Sequence, residues 1–301
     1  MHFFSEAGNI ELQVVGNTSG HSKRKLLLMS SSLKPLSIQL YTLREETAKD
    51  FPGVLRRLAK IGYKGVEPAG FFNFTPKELR SFVEDLGMVI SSTHSPWARP
   101  DNLDEVIDVC GILGVKMVAG GWGAKEFETL DAITKTAEIT AGMHEKLADA
   151  GLTLTIHNHA WEFEKIDGRI KHEIFAELCP KVNFELDTYW AANFGDNDAP
   201  EMVRRFAKRS PLLHIKDGPL IRPQSTYNAE TSTLEVAKGP SASLLAVGAG
   251  KNDIHGIIAA MDPDVTEWLV VEQDNSDTDM FECVEASYRY LTSEGLGAGN
   301  V

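Results

Sequence analysis

The sequence predicts an α/β protein built as a (β/α)8 barrel, a single domain with an irregular N-terminal extension. Three observations carry this. From Leu36 onward, short runs of strand-forming residues alternate with amphipathic stretches whose apolar residues recur every three to four positions, the pattern of βαβ units and a parallel sheet. Eight strand runs can be counted, as such a barrel requires. Polar residues with chemistry to offer gather where those runs end, and the strand C-termini are where a parallel barrel builds its sites. A doubly wound open sheet is the alternative. It would more often carry a glycine-rich phosphate loop after an early strand, and neither GxGxxG nor a Walker sequence is present.

In chain order, the expected strands cover residues 36–41, 65–67, 88–94, 116–120, 152–157, 182–187, 212–216 and 268–273. The helical patterns between and after them cover 51–61, 76–86, 103–113, 130–150, 170–178, 201–208, 254–261 and 280–291. Gly62, Gly87, Gly114 and Gly151 sit at the returns from helix to strand, where a helix C-cap calls for a residue that accepts positive φ. The barrel is thus expected over 35–295, after a loosely ordered extension at 1–34 and before a flexible tail at 296–301. One connection is abnormally long. Between Lys216 and Ile254 the chain is polar and turn-rich, and an ordered loop of that length in a compact domain is usually functional.

Composition narrows the partners. With 30 basic against 43 acidic residues the formal charge is −13, which argues against a phosphate-backbone binder, since that would show a basic face. No run of about 18 apolar residues is present to span a membrane. Cys110, Cys179 and Cys283 are widely spaced with no CxxC, so a disulfide framework is not expected and a reducing, cytoplasmic setting is. A small-molecule substrate remains. A homodimer is the default assembly.

The densest polar stretch is LTLTIHNHAWEF at 152–163, a strand that opens into two histidines, an amide, an indole and a carboxylate. Burying such groups without partners costs roughly 1–3 kcal/mol each, so they belong to a site. Other strand ends add Gln39, Glu67, His94, Trp122, Asp187, His214 with Lys216, and Glu272 with Asp274. Carboxylates and imidazoles together suit one divalent ion, favouring Mn, Mg, Co or Zn over soft metals. The best ligand set is Glu162, Asp187, His214 and Glu272. Lys216, two residues after His214 on the same face, is placed to hold a substrate oxygen. Gln39, Glu67, His94, Trp122 and His159 are candidate substrate contacts. Glu185 is the exception in an otherwise apolar strand interior, and strict alternation puts it on the same side as Asp187. Plain structural roles compete with these readings: Asp187 and Asp217 are ordinary turn and cap residues, and Trp122 is also a good core aromatic.

These residues give the chain a resemblance to the sugar phosphate isomerase/epimerase family, the xylose-isomerase-like TIM barrels. SIQLYTLRE, GYKGVEPAG, IHNHAWEF, FELDTYW, LLHIKDG, VGAGKNDI and WLVVEQD carry it, in the family's order and across nearly everything after residue 35. The resemblance implies a metal-bearing barrel acting on a polyhydroxylated carbonyl compound. It also implies that Asp187, His214 and Glu272 are ligands after the sixth, seventh and eighth strands. The family's epimerases place a further glutamate at the end of the fifth strand, paired with the last one. Here that end carries His157, and the nearest carboxylate, Glu162, lies five residues further on.

The expected activity is proton removal α to a carbonyl, by Glu272 or His157, giving an enediolate that Lys216 and the metal stabilise. Reprotonation gives a sugar or keto-sugar isomerase or epimerase; loss of a β-hydroxyl gives a lyase or dehydratase of a keto-sugar or inosose. An abasic-site endonuclease would want more ligands and a basic groove. A sugar-binding barrel without turnover would have no use for the intact ligand set. Specificity is expected from the long connection and from Phe71, Phe72 and Trp97.

Overall fold

The computed structural model describes residues 33–222 and 243–300, together with the backbone of 225–228 and 233–236. The expected extension before residue 33, and the side chains in the middle of the long connection, lie outside the described residues.

Nine parallel strands form one sheet: β1 (Leu36–Gln39), β2 (Gly65–Glu67), β3 (Val89–Ile90), β4 (Thr93–Ala98), β5 (Met117–Gly120), β6 (Thr153–His157), β7 (Asn183–Asp187), β8 (Leu212–Ile215) and β9 (Trp268–Val271). Their spatial order is β3-β2-β1-β9-β8-β7-β6-β5-β4. The third expected strand is therefore two pieces. β3 pairs with β2 and β4 pairs with β5, so the chain changes partner at Ser91 and Ser92 and the eight barrel positions close around that step. Backbone bonds bridge the step, Ser91 N donating to Val66 O at 3.0 Å and His94 N to Pro68 O at 2.9 Å, and hydroxyls add to them: Ser91 Oγ lies 2.7 Å from Ser37 Oγ and donates to Val66 O at 3.3 Å, while Ser92 Oγ donates to Glu67.

The surrounding helices are α1 (Arg44–Ile61), α2 (Pro76–Asp85), α3 (Leu103–Leu113), α4 (Leu130–Asp149), α5 (Lys171–Leu178), α6 (Thr188–Ala191), α7 (Ala199–Phe206), α8 (Ile254–Ala260) and α9 (Met280–Ser293). α1 begins earlier than its periodicity suggests, but leaves helical geometry at Asp50 and restarts there, with Asp50 Oδ1 accepting Gly53 N and Pro52 inside the new turn. Thr75 and Glu78 form a reciprocal capping box on α2. Gly62, Gly87, Gly114 and Gly151 all have positive φ at the helix-to-strand returns.

Strand alternation sorts the side chains into two layers. Ile38, Val66, Val118, Leu154, Phe184, Leu213 and Leu269 join helix residues such as Leu55, Val83, Leu147 and Ile257 in the main core. Met117, Leu212 and Val270 form a separate cluster with Trp268, which floors the barrel interior. Gly65 permits this: a Cβ there would lie 2.9 Å from the Trp268 ring. Above the floor the inward positions turn polar, and the site begins.

The long connection returns to the barrel at a single carboxylate. Asp217 accepts N–H bonds from Gly218 (2.8 Å), Gly248 (2.9 Å), Gly250 (3.0 Å) and Asn252 (3.0 Å). A Cβ at Gly250 would fall 2.0 Å from Asp217 Oδ1, so only glycine fits this approach. Asp217, expected as a turn residue, thus joins the two ends of the connection. Residues 296–300, expected as tail, pair with the start of the barrel: Ala298 O accepts Leu36 N at 2.9 Å, and Gly62 O accepts Asn300 N at 2.7 Å.

Candidate metal centre

Four strand ends converge at the barrel mouth. His157 closes β6, Asp187 closes β7, His214 lies in β8 and Glu272 follows β9; one donor atom from each falls within 4.8 Å of all the others. The ladder sets this up, since His214 is in register with Asp187, and His157 with Glu185. Asn158 clamps the ends of β6 and β7 together: its Oδ1 accepts Asp187 N at 2.9 Å and its Nδ2 donates to Asp187 O at 3.2 Å.

Asp187 does two jobs. Its Oδ1 accepts the N–H groups of Tyr189 (3.0 Å) and Trp190 (2.9 Å), capping α6. Its Oδ2 is buried, makes no hydrogen bond, and lies 3.6 Å from His157 Nε2 and 2.9 Å from Lys216 Nζ. Both ring nitrogens of His157 are likewise buried without a hydrogen-bond partner. Glu272 Oε2 lies 2.8 Å from His214 Nδ1, 2.8 Å from Lys216 Nζ and 3.9 Å from His157 Nε2.

Lys216 is 1% exposed and its ammonium meets three carboxylates, the third being Asp274 Oδ2 at 3.0 Å. Burial would lower its pKa, but Asp187, Asp274 and Glu272 hold it well above the usual lysine value. Burial likewise pushes the Asp187 and Glu272 carboxyls up, and Lys216 with His214 outweighs it, leaving both below their ordinary range. The His157 imidazole is pushed down by burial, despite the neighbouring Asp187, so its lone pair is free of a proton. Two imidazoles and two carboxylates, with both His157 ring nitrogens lacking a hydrogen-bond partner, fit a divalent ion of the zinc, manganese or cobalt type. An unpaired buried donor is costly, and a cation at His157 Nε2, beside Asp187 Oδ2, would satisfy it.

A family profile described as xylose isomerase-like TIM barrel matches residues 55–293. The chain belongs to that family. It is similar to the crystal structure of a sugar phosphate isomerase/epimerase from Parabacteroides distasonis, with 24% identity, 89% of this chain and 97% of that one covered, and a TM-score of 0.69. It is also similar to an L-ribulose 3-epimerase structure (18% identity, 88% and 95% covered, TM-score 0.61). A third likeness is to the IOLI protein solved with a zinc atom (13% identity, 87% and 98% covered, TM-score 0.61). At these identities the likenesses show the fold. No curated protein matches the chain. Among the described residues, no helix is long and apolar enough to cross a membrane.

Of the ligand set expected for the xylose isomerase-like barrel, the structure brings Asp187, His214 and Glu272 together. Glu162 is not in that group: its buried Oε2 accepts His159 N at 2.9 Å within a tight turn, and the fourth residue of the group is His157. Burial drives the Glu162 carboxyl well above its ordinary value, despite backbone bonds that oppose the shift. Gln39 and Glu67, expected at the substrate, are fully buried, as Asp187 and His214 are, with Gln39 Nε2 donating to Glu67 Oε1 at 2.6 Å and Glu67 Oε1 lying 2.9 Å from His214 Nε2. His94 is partly exposed and lies 2.5 Å from Glu185 Oε2. Trp122 packs against the core and donates to Thr140 Oγ1 on α4. His159 stacks on Trp161 at 4.2 Å and is half-buried. Burial, with His157 and Lys216 beside it, lowers its pKa to about 3. Two residues lay outside the expected set: Glu185, visible in the sequence as the odd carboxylate inside a strand, and Asp274, visible only as one more strand-end acid.

Proposed function

We propose that the protein is a divalent-metal-dependent isomerase or epimerase of a sugar or keto-sugar, working by proton removal α to a carbonyl. The observation that carries this reading is the convergence of His157, Asp187, His214 and Glu272, with the His157 ring nitrogens left without a hydrogen-bond partner and the Lys216 ammonium alongside. The metal, when bound, would supply Lewis acidity toward a carbonyl or hydroxyl oxygen of the substrate. Glu272, held ionised, takes the proton, since the His157 lone pair would be engaged by the metal. Lys216, held charged, faces the negative oxygen of the enediolate. Half-buried Trp97, His159, Trp161 and Trp190 offer flat apolar faces to sugar C–H groups and keep water from the reacting carbon.

A specific observation favours a second reading, a lyase or dehydratase of a keto-sugar or inosose. Exchanging a proton between opposite faces of one carbon calls for two opposed bases, and no second glutamate joins Glu272 in the cluster. Imidazole stands there instead, so a single carboxylate base is left, and proton removal by Glu272 with departure of a β-hydroxyl as water needs only one.

Incubating the protein in D2O with keto-sugars and inososes, in the presence of Mn2+, Co2+, Mg2+ or Zn2+, separates the readings. Deuterium at the carbon next to the carbonyl, with the substrate's formula otherwise intact, is the expected result. Deuterium uptake together with loss of water identifies the dehydratase. A sugar-induced rise in thermal midpoint with neither outcome would replace both by a binding barrel.

A further inference from the structure

The imidazole of His214 is fully buried and held at both nitrogens. Nδ1 lies 2.8 Å from Glu272 Oε2, on the side where His157 and Asp187 converge. Nε2 points the other way, 2.9 Å from Glu67 Oε1 and 3.3 Å from Glu185 Oε1. Each of those carboxylates is fixed in turn. Gln39 Nε2 and Ser92 Oγ donate to Glu67, and His94 Nε2 lies 2.5 Å from Glu185 Oε2. Glu185 Oε1 is buried, has no hydrogen bond of its own, and faces the His214 ring.

We propose that Glu67 and Glu185 are positioning residues that keep a proton on Nε2 of His214, so that the ring presents Nδ1, and only Nδ1, to the divalent cation. This rests on the metal-dependent reading above. A neutral imidazole can bind a metal through either nitrogen, and the hydrogen bond at the other nitrogen decides which. Here the deciding partner is a pair of carboxylates, brought from β2 and β7 to one point below the ring. They fix the tautomer, hold the ring plane and make Nδ1 a better donor. This gives buried Glu67 and Glu185 a task through the His214 ring that each of them faces.

The same four groups, Glu67, His94, Glu185 and His214, have the mutual spacing of a cation site in their own right. A proton and a second cation cannot both occupy Nε2. The two arrangements therefore predict different metal counts, one per chain against two.

The test is two-bond 1H–15N correlation NMR on zinc-loaded protein labelled with 15N-histidine, with metal content measured on the same sample. Expected are one zinc per chain and a His214 pattern with Nε2 protonated and Nδ1 on the metal. Glu185→Gln and Glu67→Gln keep side-chain shape but can donate toward Nε2. Each is expected to weaken zinc by about 10–100-fold in chelator competition, with the His214 pattern altered and circular dichroism unchanged. Ligation of His214 through Nε2, two zinc ions per chain, or wild-type affinity in both variants would overturn the proposal. The spectrum and the metal count of the unsubstituted protein decide it even where a variant does not fold. Failure of that protein to bind any divalent ion would overturn the functional reading too, whereas one zinc with unaffected variants would sink this inference alone.

Discussion

Replacing Asp187 by alanine is expected to abolish tight divalent-cation binding and, with it, turnover. The carboxylate supplies one of four converging donors, and its Oδ2 has the Lys216 ammonium, 2.9 Å away, beside it. Loss of a direct ligand is expected to exceed the roughly hundredfold affinity loss at the upper end for outer partners. Alanine also removes the cap on α6, at about 1 kcal/mol. Asp187→Asn separates the two roles. Its Oδ1 still accepts Tyr189 N and Trp190 N, while an NH2 group replaces the donor oxygen. Urea unfolding should then place the metal-free asparagine variant closer to the parent than alanine, while chelator competition shows both to be impaired. Parental affinity in the asparagine variant would remove Asp187 from the ligand set.

Lys216→Met is the second large effect, and it differs with and without metal. In the metal-free protein the ammonium is the cation nearest Asp187 Oδ2, shares Glu272 Oε2 with the His214 ring, and also reaches Asp274. Methionine keeps the stem but leaves buried carboxylates uncompensated, an expected loss of about 3–5 kcal/mol. A divalent ion restores positive charge beside Asp187 and Glu272. Saturating Mn2+ or Zn2+ should therefore raise the variant's thermal midpoint by more than it raises the parent's. Turnover should stay low even in metal-loaded variant, by roughly 10²–10³-fold, because the group facing the developing negative oxygen is gone. Equal midpoints for variant and parent without metal would show that Lys216 is not the compensating charge.

Much of this site was legible because a barrel strand ends where its side chains change character. The apolar runs before His157, Asp187 and His214 marked their strands, and glycine at the helix returns marked the boundaries. What alternation gives is the side a residue faces; what it leaves open is depth. Depth depends on the stagger between neighbouring strands, which pairs Glu185 with Leu212 and Asp187 with His214. That is why alternation alone does not show that Gln39 bonds to Glu67 and Glu67 meets the His214 ring. It is also why Glu185, an oddity inside a strand, sits beside the His214 ring. Glu162 is a different case. A carboxylate five residues past a strand is positioned by its turn, and that turn folds it back onto His159 N. The four N–H groups gathered by Asp217 come from as far as residue 252, beyond the reach of any local rule.

The choice between His157 and Glu162 as fourth ligand tests the central claim most directly. Calorimetric titration of the metal-free chain with Mn2+ or Zn2+ should give one equivalent for the parent. Glu162→Ala should retain that binding, and His157→Ala should lose it. Binding that survives His157→Ala but fails in Glu162→Ala, or no binding by the parent at all, would contradict the centre built from His157, Asp187, His214 and Glu272.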